Sequence, residues 1–213
     1  LMPIAITRNN LDDHNFIYPV YTARALEAIG WEWASVLFRP AIRYQARPPN
    51  PLDDVELNYV AYESVEAIFD EYKLLEHDIA LQSSPRETEQ IGELGRQIGA
   101  SKSYYDTIAP LAEALVNGLS LEGAGEALSI GAAGAYLSTS YGNPMDSHAH
   151  TGINNRRYVL AQEGVSLRNK LLSLMPALTG PEVLLAEPLS NWASNIEDDV
   201  TSHLPVRSQD SLL

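Results

Sequence analysis

Apolar residues recur at spacings of three and four along most of the chain, and no stretch alternates convincingly between apolar and polar positions. That pattern predicts an all-α protein, an irregular multi-helix bundle without a sheet. Residues 1–13 read as a loop, or as one short strand at Ile4 to Thr7. Asp12 and Asp13 are suited to cap a first helix that runs to about Ile29. Ile17, Val20, Tyr21, Ala25, Leu26 and Ile29 keep helical spacing there, Pro19 sits near the first turns, and Gly30 is a natural stop. A second helix, Trp31 to Tyr44, carries Trp33, Val36, Leu37, Ala41 and Tyr44 on one side, with a kink expected at Pro40. Arg47-Pro48-Pro49-Asn50-Pro51 is a break. Val60 to Leu81 reads as one long helix, with Val65, Ile68, Phe69, Tyr72, Leu75 and Ile79 as its apolar face.

The following helices carry clear punctuation. Ser84-Pro85-Arg86-Glu87 starts one that runs to about Ile98, with Ser84 as cap and Pro85 at the first helical position. Ser101 to Val116 is the next, ended by Asn117-Gly118. Ser120 caps Leu121 to Leu137, and Ser166 caps Leu167 to Leu178. A helical domain over residues 1–187 and a C-terminal tail over 188–213, expected to be either mobile or docked on a partner, complete the organisation.

Two stretches change the picture from packing to chemistry. Leu121 to Leu137 contains Gly123, Gly125, Gly131 and Gly134 among alanines. Glycine in a helix costs about 1 kcal/mol relative to alanine, so these positions call for a compensation. Close approach of a neighbouring helix supplies one, and close approach of a ligand or cofactor to Gly131 and Gly134 supplies another. The second stretch is Gly142-Asn143-Pro144-Met145-Asp146-Ser147-His148-Ala149-His150, a loop opening into a helix. Its histidines fall in the first helical turn, where the dipole disfavours imidazolium, and neutral imidazole is the form that binds metals. His148 and His150 lie two apart, turned roughly 200° from each other on a helix, so both reach one metal only if the segment is extended. Asp146, His150 and Asn154 are four apart and share a face. That makes His150, Asp146 and Asn154 the candidate catalytic set, and His148 with His150 the candidate metal ligands. Capping and packing account for the same residues without function. Glu66, Asp70, Lys73 and His77 form a further stripe, which solvated charge pairing also explains, and Asp199 with His203 repeats the spacing near the tail.

Composition then narrows the classes. The formal net charge is −14, from 28 acidic and 14 basic side chains, which disfavours nucleic acid as a partner. There is no cysteine, which rules out disulfides, thiolate zinc sites and thiol catalysis. No apolar run approaches the ~20 residues of a membrane span. The start at Leu1 rather than Met fits a processed or partial chain, soluble and cytoplasmic by default. No histidine has a glutamate three residues before it, as a ferritin-like di-iron bundle requires, and neither His-Glu-x-x-His nor Gly-x-Ser-x-Gly occurs.

The order of segments resembles that of one family. The first two helices, the small-residue run, and a histidine helix start continuing through Thr151, Gly152, Asn154, Arg157 and Leu160 resemble the later part of questin-oxidase-like proteins. Ala23, Leu26 and Gly30 add to the resemblance. Those proteins are helical oxidoreductases linked to oxygenation of polyketide anthraquinones. The resemblance implies an oxidoreductase, oxygenase-like, with non-haem iron or haem held through histidine and a small apolar or aromatic substrate. The alternative reading is a non-catalytic helical subunit, working with a protein partner or as a homo-oligomer.

Overall fold

The computed structural model describes residues 4–5, 13–47, 65–101, 105–136 and 146–175. About 80% of this part is helical, with no strand among the described residues, so the fold is all-α and multi-helical. The helices are α1 (His14–Ile29), α2 (Ala34–Gln45), α3 (65–71), α4 (Thr88–Gly99), α5 (Tyr105–Val116), α6 (Leu121–Tyr136), α7 (Asp146–Ala161) and α8 (Leu167–Leu174). Short 3₁₀ turns lie at Trp31–Trp33, Leu74–Glu76 and Pro85–Glu87. No described helix is long and apolar enough to cross a membrane.

The heart of the molecule is the pair α4 and α6, packed along their length, with α7 against α6 and α1 linking α7 to α2. Small residues make the central approach possible. A Cβ built on Gly95 would stand 2.7 Å from the Ile130 side chain, and one on Gly131 would stand 2.5 Å from Ile98 Cγ2. Gly99 meets the Gly131 carbonyl at 3.1 Å by the same measure. Glu87 lies at Ser120, Gly95 at Ile130 and Gly99 at Gly131, so α4 and α6 run in the same direction. Ile91, Leu94 and Ile98 from α4 join Leu111 and Leu115 from α5 and Leu121 and Leu128 from α6 in one apolar core.

Local signals set most boundaries. Gly30, at φ 110°, donates its N–H to the Leu26 carbonyl and ends α1. After α5, Gly118 takes φ 96°, its N–H reaching Leu115 O while the Leu119 N–H reaches Ala114 O. These two bonds satisfy the last carbonyls, and Leu119 drops into the core beside Ala114. Ser166 Oγ accepts from the Asn169 N–H to start α8.

Three sequence expectations are corrected. Residues 4 and 5 are helical, not the start of a strand. The long helix expected over residues 60–81 stops at residue 71, because Lys73 turns left-handed at φ 51° and Leu74–Glu76 forms a 3₁₀ turn. The turn buries Leu74 completely and lays residues 78–82 as a non-helical strap across the start of α6, so Lys73 and His77 do not continue a helical stripe with Glu66 and Asp70. The apolar side expected on α2 does not face the core. Trp33 and Val36 are 52% and 51% exposed, and only Ala41 and Gln45 of α2 are buried. α2 touches the rest of the protein chiefly through α1, and spacing alone does not say what, if anything, covers an apolar stripe. The segments 48–51, 60–64, 102–104, 137–145 and 176–213 lie outside the described residues. They hold the Pro-rich break, the expected first turn of the third helix, the Gly142–Pro144 break, the end expected for α8 at Leu178, and the tail with Asp199 and His203.

Candidate functional site

α7 carries the predicted site residues, and its two ends have different surroundings. Asp146 and His148 are helical in backbone, and their side chains lie outside the described residues. His150 is exposed, not buried as its shared face with Asp146 and Asn154 suggests. Its ring stands edge-on to Tyr136 at the end of α6, with centroids 5.2 Å apart. With His148 and His150 on a continuous helix, the extended arrangement that would bring both imidazoles to one metal is absent. Among the described residues no group of three or more His, Asp or Glu side chains is placed to hold a metal. Gly131 is occupied by Ile98 of α4, so helix packing uses its bare face, whereas Gly134 is exposed with open space beside it.

Asn154, one turn beyond His150, does line a cleft. The cleft has a volume of about 760 Å³ and is bounded by Ala80, Leu81 and Gln82 of the strap, Glu122 of α6, and Asn154, Arg157, Leu160, Ala161 and Glu163 at the end of α7. α7 runs antiparallel to α6 here. The Arg157 stem lies on Gly125, where a Cβ would meet its Cγ at 3.0 Å, and Arg157 Nη1 donates to Ser129 Oγ at 3.2 Å. A guanidinium carries five N–H donors, so one such bond leaves most of its capacity for a ligand.

The opposite wall is built by hydrogen bonds. A helix start leaves its first N–H groups without internal acceptors. In α6 the Leu121 and Glu122 N–H groups donate to the strap carbonyls of Ala80 and Leu81, at 2.9 and 3.0 Å. The Gly123 N–H donates to Ser120 Oγ at 3.0 Å, as the sequence predicts for that cap. Glu122 Oε2 in turn accepts from the Ser83 N–H at 2.8 Å and from Ser83 Oγ. Behind this wall Glu87 joins two helix starts. It accepts from the Ser84 N–H at 2.8 Å in a capping box, and from the Ser120 N–H and Oγ at 2.9 and 2.7 Å. Burial pushes the Glu87 carboxyl up, but the hydrogen bonds from Ser120 and then Ser84 outweigh it and hold the group below its usual range.

The other face of α7 locks it to α1. Arg156 donates from Nη1 to Asp13 Oδ2 at 2.5 Å and from Nη2 to Asp13 Oδ1 at 3.0 Å, with both side chains 1% exposed. The guanidinium also lies 4.6 Å over the Phe16 ring. Asp13 therefore does not cap α1 with its side chain, contrary to the sequence reading, and its backbone is left-handed at φ 57°. Gly152 makes room for the pair, since a Cβ there would stand 2.4 Å from Asp13 Oδ2. Nearby, Tyr158 donates its hydroxyl to Glu27, and burial together with that carboxylate pushes the phenol up to about 12. Beyond α7, Lys170 is almost wholly buried on α8. Burial pushes its amine down, and Glu163 on the cleft rim opposes part of that effect.

The cleft and the buried pair left little trace in sequence. Arg157 and Asn154 stand in the helix start that drew attention, but Gln82, Glu122 and Glu163 come from three further segments. Asp13 and Arg156 are 143 residues apart. The one local signal was Gly152, a glycine inside an otherwise ordinary helix. Comparisons with protein-family models, curated proteins and solved structures find no match.

Proposed function

We propose that this chain is a helical small-molecule-binding protein whose ligand lies in the cleft between the residue 80–82 strap and the end of α7. The observation that carries the reading is the meeting of Arg157, Asn154, Glu122 and Glu163 in one cleft of about 760 Å³, a size suited to a small organic molecule. Arg157 suits a carboxylate or similar anionic group, and Glu163 suits an amine. A compact zwitterion satisfies both. Calorimetric titration of the full chain with short ω-amino acids tests this, with acetate and ethylamine as single-charge comparators. Binding of the zwitterions, weakened about tenfold or more in Arg157→Gln, supports the reading. Equal or absent binding of all three classes would reject it.

Redox chemistry through His150, without His148 as a second ligand to the same metal, is the second reading, favoured by one observation. His150 is exposed against Tyr136, one turn ahead of Asn154 on α7. An oxygenase-like role with non-haem iron or haem would draw on that imidazole, while the helical-subunit alternative draws on the exposed Trp31 and Trp33. Elemental analysis with an absorption spectrum of the purified chain separates these. Stoichiometric iron or a Soret band that is lost in His150→Ala supports the redox reading, and a clean apo-protein argues against it.

A further inference from the structure

An acidic protein with 14 basic side chains places three of them in register. Arg39 and Arg43 are one turn apart on α2, and Arg47 follows four residues later, just past the helix end. Like charges at this spacing repel, so packing alone gives no reason for the arrangement. Arg39 and Arg43 make no ion pair or hydrogen bond among the described residues. Among the described residues no acidic side chain lines the cleft they face, and Asp13 before α1 and Glu27 on it bond to Arg156 and Tyr158.

The three arginines line a cleft of about 480 Å³ with Tyr18, Pro40 and Tyr44. Its aromatic wall is assembled. Tyr18 and Tyr44 stand with ring centroids 5.0 Å apart, and His14 lies 5.5 Å from Tyr18 and 6.0 Å from Tyr44. Arg47 stacks 4.2 Å over the Tyr44 ring and donates from Nη2 to its hydroxyl at 3.0 Å, which fixes the position of that guanidinium. The hairpin itself is held by Gln45, whose Nε2 donates to the Asn15 carbonyl at 3.0 Å. That carbonyl is the one Pro19, lacking an N–H, cannot serve. The Gln45 bond ties α1 to the end of α2 beside the cleft, whose walls present cations beside aromatic faces.

We propose that this cleft is a second binding site, for a small ligand that combines an aromatic ring with a dianionic phosphate monoester. Aryl phosphates and mononucleotides share that chemistry. Guanidinium groups meet phosphate oxygens through paired N–H donors, and the ring has Tyr18 to lie against. The net charge of −14 does not oppose this, because at physiological salt charges beyond about 8 Å are largely screened and the local arginines decide. The site shares no residue with the cleft at Arg157.

Calorimetric titration of the full chain with AMP and with phenyl phosphate tests the proposal, with inorganic phosphate and benzoate as comparators. At least one aromatic phosphate should bind saturably and about tenfold or more tighter than inorganic phosphate or benzoate. AMP binding much the tighter assigns a mononucleotide, and phenyl phosphate equal or tighter assigns an aryl phosphate. The double variant Arg39→Gln/Arg43→Gln should lose that binding by at least about tenfold at an unchanged melting temperature, and Tyr18→Ala should bring AMP toward inorganic phosphate. Arg157→Gln should leave it unchanged. Aromatic phosphates no tighter than inorganic phosphate, or undiminished binding by the double variant, would overturn the proposal.

Discussion

A buried ion pair is worth most when both partners are present, because removing one strands the other charge out of water. Asp13 and Arg156 are in that position. Asp13→Asn should destabilise by roughly 3–5 kcal/mol in urea denaturation, and Asp13→Leu/Arg156→Met by distinctly less. Gly152→Ala should cost about 1–3 kcal/mol, since the added methyl enters the space of the Asp13 carboxylate, and much less once Asp13 is alanine. Additive effects of Gly152 and Asp13 would refute this account of the glycine. Lys170 gives the opposite sign. Its folded-state amine sits below the usual 10.5, so the unfolded chain binds the proton more readily and the folded protein gains stability as pH rises toward 10.5. Lys170→Met should raise stability at neutral pH by about 1 kcal/mol and flatten that alkaline rise. None of these three residues was legible as such. A sequence states that an Asp, an Arg and a Lys exist, and only the fold decides which charge meets its opposite and which is left in the core.

Where a helix begins and ends is a more local matter, and there the sequence was informative. Gly30, Ser84-Pro85, Asn117-Gly118, Ser120 and Ser166 each act on backbone groups within a few residues, and each boundary lies at or next to them. The failure at residue 72 has a different cause. Nothing in the apolar spacing of residues 65–79 reveals that the α6 start needs two carbonyl acceptors, and residues 80 and 81 are drawn out of helix to provide them. Glu87 ties two of the well-signalled starts together. Glu87→Gln should cost about 1–3 kcal/mol, because the amide keeps a single acceptor oxygen and leaves either the Ser84 N–H or the Ser120 N–H facing an NH2 group. The Glu87 carboxyl is held below its usual 4.5, so its contribution is complete above that value and is lost as pH falls through the lower folded-state value. The variant should therefore unfold in acid with a shallower pH dependence than the parent. The glycine run separates in the same way. Gly131→Leu should destabilise by roughly 1–3 kcal/mol or more against Ile98, while Gly134→Leu should leave the melting temperature near the parent's.

At the scale of the molecule, apolar burial is uneven. α4, α5 and α6 surround the core, whereas α2 buries only Ala41 and Gln45 and leaves Val36 and Ile42, with Trp33 just ahead of it, largely exposed. Native-state hydrogen exchange should then find the slowest amides in α4 and α6 and the fastest helical ones in α2. Equal protection throughout would mean that the α1–α2 hairpin is held by more than α1 and Gln45.

The two backbone bonds from the first turn of α6 to residues 80 and 81 make the cleft wall and a helix terminus one object. A guest that pushes the strap outward has to release the Leu121 and Glu122 amides, and a guest that draws it inward shortens their tether. Occupancy is thereby written into the solvent exchange of two amide protons that the guest never touches. Their resonances would serve as a built-in reporter for screening compounds before the natural one is in hand.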